Sequence, residues 1–202
     1  MRIVTISGTC SEVGKTSLVC ELLSRLPGWA AVKVTRGHYR SCGRDPDTCC
    51  VSHLLGDEPR VFAAREETDR DGKDTGRYWA AGAAAVRWVV GAHGQEAEGL
   101  RRALADLTGF PGVLVEGNRV VGAIEPELAI LVAHPGQREV KATARRILDR
   151  VDALYVPDSS AARAARQDPA PLAGERSGSR RWLVWGPQDL DRIGADLRGH
   201  ES

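Results

Sequence analysis

Short apolar runs alternate with helical patterns along most of this chain, and the alternation limits the folds open to it. Runs typical of strands cover residues 2–6, 30–35, 86–91, 112–117, 127–133, 153–156 and 181–185. Helical patterns cover residues 16–26, 74–85, 96–107, 138–151 and 189–197. Buried parallel strands are continuous apolar runs joined by helices, so the pattern predicts an α/β fold with a mostly parallel sheet and helices on both faces.

The length of the chain, 202 residues, suits one α/β domain with a substantial core. We find no boundary for a second domain and predict a single domain over residues 1–202. Residues 36–72 are rich in Arg, Asp, Gly and Cys. They are predicted to form an irregular, cysteine-containing insertion. Residues 158–180 are predicted to be mostly loop, with room for a short helix.

The charge and hydropathy of the chain argue against several classes of partner. A net charge of +1 gives neither the basic surface of a nucleic-acid-binding protein nor an acidic tail. No apolar run approaches the roughly 18 residues of a membrane span, and the N-terminus does not resemble a signal peptide. We therefore expect a cytoplasmic protein that binds neither nucleic acid nor membranes. Its five cysteines are then free thiols or metal ligands rather than disulfides.

A glycine-rich segment, SGTCSEVGKTSL, follows the first predicted strand and opens the first predicted helix. Phosphate-binding loops have this context, because their backbone N–H groups and the helix N-terminus present donors to a polyphosphate. Five residues separate Gly8 from Gly14, one more than in the usual loop. The alternative is a glycine turn that precedes Lys-Thr by chance.

We predict that this loop binds the phosphates of ATP or GTP. Lys15 would contact the outer phosphates as a catalytic residue, and the Thr16 hydroxyl would bind Mg²⁺. The predicted phosphate-binding residues are Gly8, Thr9, Cys10, Ser11, Glu12, Val13, Gly14, Lys15, Thr16 and Ser17. Tyr155–Ser160 follows a late strand, where a base often docks, but it carries no recognised code for either base.

Two charged residues in predicted strands are candidates for the same site. Glu116 ends the run VLVE, where the carboxylate of a phosphate-loop protein faces Mg²⁺. The alternative is an acid in a turn. Lys33 interrupts an apolar run, and a buried lysine is costly unless it emerges at the strand end or has a partner. Because it lies near the end of its run, we expect either a phosphate or substrate role or an exposed lysine at the strand terminus.

The loop GTCSEVGKT resembles the Gly-Thr-x-Thr-x-Val-Gly-Lys-Thr loop of dethiobiotin synthetases, which also has five residues between its glycines. Cys10 stands where that family usually has Asp, and Ser11 replaces Thr. Val-Glu-Gly at 115–117 is similar to both dethiobiotin synthetases and the MobB proteins of molybdenum cofactor assembly. Both families have a lysine after the second strand. In dethiobiotin synthetases this lysine serves phosphoryl transfer, which implies a catalytic role for Lys33.

The segment GKDTGRYWAAGA, residues 72–83, resembles the MobB stretch Gly-Lys-Asp-Ser followed by a basic residue and Ala-Gly-Ala. Asp74 opens a predicted helix, so it either caps that helix or joins Thr16 and Glu116 as an Mg²⁺ ligand. The resemblance covers residues 1–157 and implies a three-layer P-loop NTPase fold.

The resemblance also implies two kinds of activity. The first is a MobB-like NTPase or accessory factor in cofactor biosynthesis, acting with a cofactor-assembly protein. The second is a small-molecule kinase or ATP-dependent ligase of the dethiobiotin synthetase type, acting on an unidentified small molecule.

A cysteine cluster in the insertion departs from both families. It contains Cys42, Cys49, Cys50 and His53. Thiolates and imidazole suit Zn²⁺ or an iron–sulfur cluster, although the spacing is not a paired Cys-x-x-Cys. We expect a homodimer, in which two insertions would be able to share one ion. The alternatives are surface thiols or a third functional class, a metal-binding, NTP-driven switch or metal-delivery protein.

Overall fold

The computed structural model of the chain describes residues 1–37, 51–136, 140–173 and 182–199. It has an α/β fold built on one eight-stranded sheet. The strands are β1 (Arg2–Gly8), β2 (Ala30–Arg36), β3 (Arg60–Phe62), β4 (Ala85–Gly91), β5 (Gly112–Glu116), β6 (Leu128–Val132), β7 (Ala153–Tyr155) and β8 (Leu183–Trp185). The α-helices are α1 (Lys15–Leu23), α2 (Arg65–Thr68), α3 (Asp74–Ala80), α4 (Glu96–Ala105), α5 (Ala142–Arg145), α6 (Ser159–Ala165), α7 (Ala170–Ala173) and α8 (Leu190–Arg198). Short 3-10 helices cover Ser52–Leu54, Val120–Gly122, Leu148–Arg150 and Pro187–Asp189.

The strand order across the sheet is β3-β4-β2-β5-β1-β6-β7-β8. All neighbouring strands are parallel except β3, which runs antiparallel to β4 at one edge. The predicted mostly parallel sheet is therefore confirmed. β1 lies between β5 and β6. The next strand in the chain, β2, lies on the β5 side of β1, whereas β6, β7 and β8 lie on the opposite side. Loops that follow the parallel strands consequently meet at one edge of the sheet, around the end of β1.

Helices pack on both faces of the sheet because each central strand buries side chains on both sides. On one face, Leu114 of β5 joins a cluster with α1 and α8. On the other face, Val113 and Val115 of the same strand join a cluster with α4 and α6. Within the described ranges, no helix is both long enough and apolar enough to cross a bilayer.

The segment predicted to be an irregular insertion contains regular structure in its described part. β3 pairs with β4, and the ring of Phe62 stacks on Trp88 with centroids 5.0 Å apart. α2 and one 3-10 helix lie in the same segment. The sequence did not indicate β3, since three residues are too few to show a periodicity and an edge strand buries little.

Two other segments also differ from their sequence patterns. The helix predicted over residues 138–151 consists of α5 and a separate 3-10 helix in its described part. The segment predicted to be mostly loop after β7 contains α6 and α7. α6 begins where the Asp158 side chain accepts a hydrogen bond from the Ala161 N–H at 2.7 Å, and this cap satisfies one of the unpaired donors of the first turn.

Candidate functional site

The glycine-rich segment between β1 and α1 forms a loop at the carboxyl edge of the sheet. Glu12 and Gly14 adopt left-handed backbone conformations, with φ of 61° and 97°. α1 begins immediately after Gly14. The backbone N–H groups of Gly14, Lys15 and Thr16 donate no hydrogen bond to any residue in the described ranges. These donors and the positive end of the helix dipole are therefore available to an anion.

Three neighbouring segments hold the first half of this loop. The Gly8 N–H donates to Asn118 Oδ1 at 2.9 Å, just beyond β5. The Thr9 N–H donates to the last carbonyl of β6 at 2.9 Å. Lys141 donates from its backbone N–H to the Thr9 carbonyl at 2.9 Å and from Nζ to Ser11 Oγ at 2.8 Å. The loop is thus fixed by its surroundings as well as by its glycines.

The Lys15 side chain crosses this loop, and its Nζ donates to the Cys10 carbonyl at 3.1 Å. Burial lowers the pKa of Lys15, although the Glu116 carboxylate acts in the opposite direction. A Cβ atom on Gly8 would lie 2.6 Å from Val13 Cγ2 and 3.0 Å from Lys15 Cδ. Gly8 therefore leaves the space that Lys15 and the buried Val13 need.

Four polar side chains from four elements meet beside the start of α1. Thr16 Oγ1 donates to Glu116 Oε2 at 2.9 Å and is 3.2 Å from Asp74 Oδ1. Lys33 Nζ lies 2.5 Å from Glu116 Oε1 and 2.6 Å from Asp74 Oδ2. We call Thr16, Lys33, Asp74 and Glu116 the polar cluster. Sequence reasoning proposed all four as site residues, and the structure brings them together.

Strand register explains why Lys33 meets Glu116. Lys33 on β2 is directly opposite Glu116 on β5, so both side chains lie on one face of the sheet. Lys33 lies in the middle of β2 rather than near its end, because pairing with β4 extends β2 to Arg36. Burial alone would lower the pKa of Lys33, but Glu116 and Asp74 outweigh it and raise that pKa.

Asp74 is the first residue of α3, and its carboxylate faces Thr16 and Lys33. Neither contact is to the backbone of α3, so these contacts do not support a capping role for the Asp74 side chain. Burial alone would raise the pKa of Asp74, but the attraction of Lys33 and its hydrogen bond outweigh burial and lower that pKa. Asp74 is therefore an ionised carboxylate at neutral pH.

Tyr78 belongs to the site and was missed by sequence reasoning. It is fully buried, and its hydroxyl donates to Glu116 Oε2. Burial, reinforced by the Glu116 carboxylate, raises the pKa of Tyr78 well above 10.0, so the hydroxyl keeps its proton. The spacing of Tyr78 from Asp74 could have indicated this role. The two residues are four positions apart in a predicted helix, so they lie on the same face of it.

A cavity of about 360 Å³ lies beside the loop on the side of α1. Gly14, Ser17 and Leu18 form one wall. Tyr155 and Pro157, from the end of β7 and the residues after it, line it as well. The segment Tyr155–Ser160, which sequence analysis placed where a base often docks, therefore reaches a cavity next to the glycine-rich loop.

The proposed cysteine site lies mostly outside the described residues. Cys42, Cys49 and Cys50 fall in the range 38–50, which the structure does not describe. His53 lies in the 3-10 helix Ser52–Leu54 and is exposed. Cys10 and Cys20 are free thiols. Across the described ranges, no group of three or more His, Cys, Asp or Glu side chains is placed to hold a metal ion.

Comparison with known proteins adds no family to these observations. No protein-family model matches the chain, and no curated protein matches its sequence. The role of the site therefore has to be inferred from its own geometry.

Proposed function

We propose that this chain is an Mg²⁺-dependent nucleoside triphosphate-binding protein with a P-loop NTPase fold, in which residues 8–17 bind the phosphates. One observation carries the proposal. The hydroxyl of Thr16, the residue directly after Lys15 at the start of α1, donates to Glu116 at 2.9 Å and lies 3.2 Å from the carboxylate of Asp74. A lysine for phosphate, a hydroxyl for metal and two carboxylates are the groups that an Mg-nucleotide site requires.

The polar cluster suits a hard cation. Its oxygen donors are one hydroxyl and two carboxylates, which are ligands that Mg²⁺ accepts. The two carboxylates already surround a cation, since the Lys33 ammonium lies within 2.6 Å of both. Thr16, Asp74 and Glu116 would hold the metal directly or through water. When bound, Mg²⁺ would neutralise charge on the phosphoryl oxygens.

Each remaining group in the site has a role that its position supports. Lys15 and the free N–H groups at the start of α1 would bind the phosphates. Lys33 would stabilise negative charge on the transferring phosphoryl group as it develops. Tyr78 holds Glu116 in place from the buried side. The cavity lined by Tyr155 and Pro157 offers apolar surfaces to the base, and both ATP and GTP are candidates.

Two activities fit this site. We favour a MobB-like NTPase or accessory factor in cofactor biosynthesis, because the segment that resembles MobB proteins contributes Asp74 to the cluster and Tyr78 to its support. The alternative is a small-molecule kinase or ligase of the dethiobiotin synthetase type. This alternative is supported by Lys33, whose ammonium group contacts the carboxylates of both Asp74 and Glu116.

Replacement of Lys15 tests the proposal. We expect Lys15→Ala to weaken binding of a fluorescent, non-hydrolysable Mg-NTP analogue by at least about tenfold, because a charge-assisted contact to phosphate is lost. Lys73→Ala, which removes an exposed lysine next to Asp74, should leave the affinity unchanged. Fluorescence titration measures both affinities, and circular dichroism checks that both variants fold.

The outcomes separate the alternatives. Equal affinity of Lys15→Ala and the unaltered protein would refute a phosphate role for the loop. Phosphate release that requires an added small acid or amine favours the kinase or ligase. Slow release that is stimulated by a protein partner favours the accessory factor.

A further inference from the structure

The structure contains a second cavity, of about 420 Å³. Residues that follow β4 and β5 form one part of its lining, and residues from Thr143 to Arg150 form another. Its charged lining consists of Arg119, Arg146, Arg150 and Glu96. We call this space the arginine cavity. None of its lining residues belongs to the polar cluster or to the loop of residues 8–17.

The charge of the arginine cavity is not balanced by its own residues. Glu96 lies 3.8 Å from Arg119 and is shared with Arg36, which lies 3.9 Å away. Arg146 and Arg150 are exposed, and within the described ranges neither side chain has a hydrogen-bond or ion-pair partner. Two guanidinium groups therefore line one cavity without a carboxylate of their own.

Contacts to the glycine-rich loop connect the two sites. Asn118 lines the arginine cavity, and its Oδ1 accepts the Gly8 N–H. Lys141, two residues before Thr143 in the other wall, donates to Ser11. Asn118 in one wall and Lys141 next to the other wall therefore both hold the first half of the glycine-rich loop. A molecule in the arginine cavity would lie next to the segment proposed to bind the nucleotide.

We propose that the arginine cavity binds a small anionic molecule that carries a carboxylate or a phosphate, and that this molecule is the second substrate. Guanidinium groups bind either anion through paired N–H donors. Ala123 and Ile147, which also line the cavity, offer apolar contact to a short carbon skeleton. The anion site stands on its own geometry, while its assignment to a second substrate rests on the proposed function.

Anion binding to three forms of the full chain tests the proposal. All carry Lys15→Ala, which weakens the competing phosphate loop. One has no other change, one adds Arg146→Gln and Arg150→Gln, and the control adds Arg70→Gln and Arg163→Gln. The control arginines are exposed, lie outside the arginine cavity and give the same change in charge. Calorimetric titrations use inorganic phosphate and, separately, succinate as probes.

We expect the first and control forms to bind at least one probe, and the Arg146/Arg150 form to bind it at least about tenfold more weakly. Binding of phosphate alone identifies a phosphate-bearing ligand, and binding of succinate alone identifies a carboxylate. Absence of binding by the first form, or equal binding by all three, would overturn the proposal.

The nucleotide test remains separate from this one. Fluorescent Mg-NTP binding is measured for Arg146→Gln/Arg150→Gln with Lys15 intact, and we expect the affinity of the unaltered protein. If the unaltered protein binds no nucleotide but the anion site persists, the proposed function fails and the anion site stands. If nucleotide binds but the anion probes do not, the proposed function stands and the arginine cavity has no such ligand.

Discussion

Glu116 accepts hydrogen bonds from Thr16, Lys33 and Tyr78, which belong to three different elements. Its side chain is only 2% exposed, so these donors replace water almost completely. A buried carboxylate is costly unless it is paired and hydrogen-bonded. Each of the three donors therefore supports the fold as well as the site, and their removal should be visible in stability.

Removal of the Lys33 charge should destabilise the protein in a way that Mg²⁺ relieves. We expect Lys33→Gln to lower the free energy of unfolding by about 3 kcal/mol in EDTA, because the buried Glu116 carboxylate loses the ammonium group that pairs with it. Excess Mg²⁺ should restore part of that loss if the two carboxylates bind it. Urea unfolding with EDTA and with Mg²⁺ measures both effects.

Lys73→Gln is the matched control for this experiment, since Lys73 is exposed and next to Asp74. It should change stability little in either buffer. Unaltered stability of Lys33→Gln in EDTA would contradict the pairing seen here. An equal loss with and without Mg²⁺ would argue against a metal role for the polar cluster.

Loss of the Tyr78 hydroxyl should have a smaller effect of the same kind. Tyr78→Phe keeps the ring but removes one donor to Glu116, so we expect the free energy of unfolding to fall by about 1–2 kcal/mol. Tyr155→Phe is the control, because its hydroxyl has no hydrogen-bond partner in the part of the chain that the structure describes. Chemical denaturation compares the two variants, and equal losses would show that the Tyr78–Glu116 bond adds nothing.

The loop between β1 and α1 is the element on which nucleotide binding is proposed to depend. Its backbone is shaped by the two left-handed residues, Glu12 and Gly14, and its entry is anchored by Asn118. A Cβ atom on Gly8 would force Val13 to shift and would lie only 3.0 Å from the Lys15 side chain. The geometry of this element is therefore sensitive to one methyl group.

Gly8→Ala should consequently weaken Mg-NTP binding by at least about tenfold with the fold retained, since the new Cβ would lie 2.6 Å from Val13 Cγ2. Gly56→Ala is the control, because a Cβ at that exposed position has no atom within 4 Å. Fluorescence titration measures the affinities. Unchanged affinity of Gly8→Ala would show that the loop adjusts freely and that its present shape is not needed.

At the scale of the whole molecule, the order of the strands decides which side chains meet. β1 lies between β5 and β6, and β2 lies on the other side of β5. This order places the loop after β1 and Glu116 at the end of β5 side by side, and it sets Lys33 of β2 opposite Glu116. α3 adds Asp74 and Tyr78 from the next layer, so the ion pairs of the site also tie a helix to the sheet.

The ion pair between Asp74 and Lys33 should make the free energy of unfolding depend on pH in the acidic range. The pKa of Asp74 lies below 3.8 in the folded protein, although burial alone would raise it, because Lys33 favours the carboxylate. Its contribution to stability is complete above about pH 3.8 and is lost as the pH falls through the lowered folded-state pKa. Below that pH, Asp74→Asn should lose stability less steeply than the unaltered protein.

Urea unfolding at several acidic pH values measures this slope. Asp71→Asn is the control, because Asp71 is exposed and outside the polar cluster. It should follow the unaltered protein. If Asp74→Asn and Asp71→Asn show the same slope, the ion pair between Asp74 and Lys33 does not contribute to the acid dependence.

Local sequence patterns were enough to predict several elements of the fold. Apolar runs indicated the central strands, and Gly8, Gly14, Lys15 and Thr16 marked a loop between strand and helix, because burial periodicity and glycine turns act over few residues. Contacts between residues far apart in the chain became visible only in the folded structure. Strand register set Lys33 opposite Glu116, and the docking of α3 brought Tyr78 to that carboxylate. The arginine cavity formed only where the residues that follow β4 and β5 meet the segment from Thr143 to Arg150. Such contacts join residues far apart in the chain, and no local pattern specifies which of them will meet.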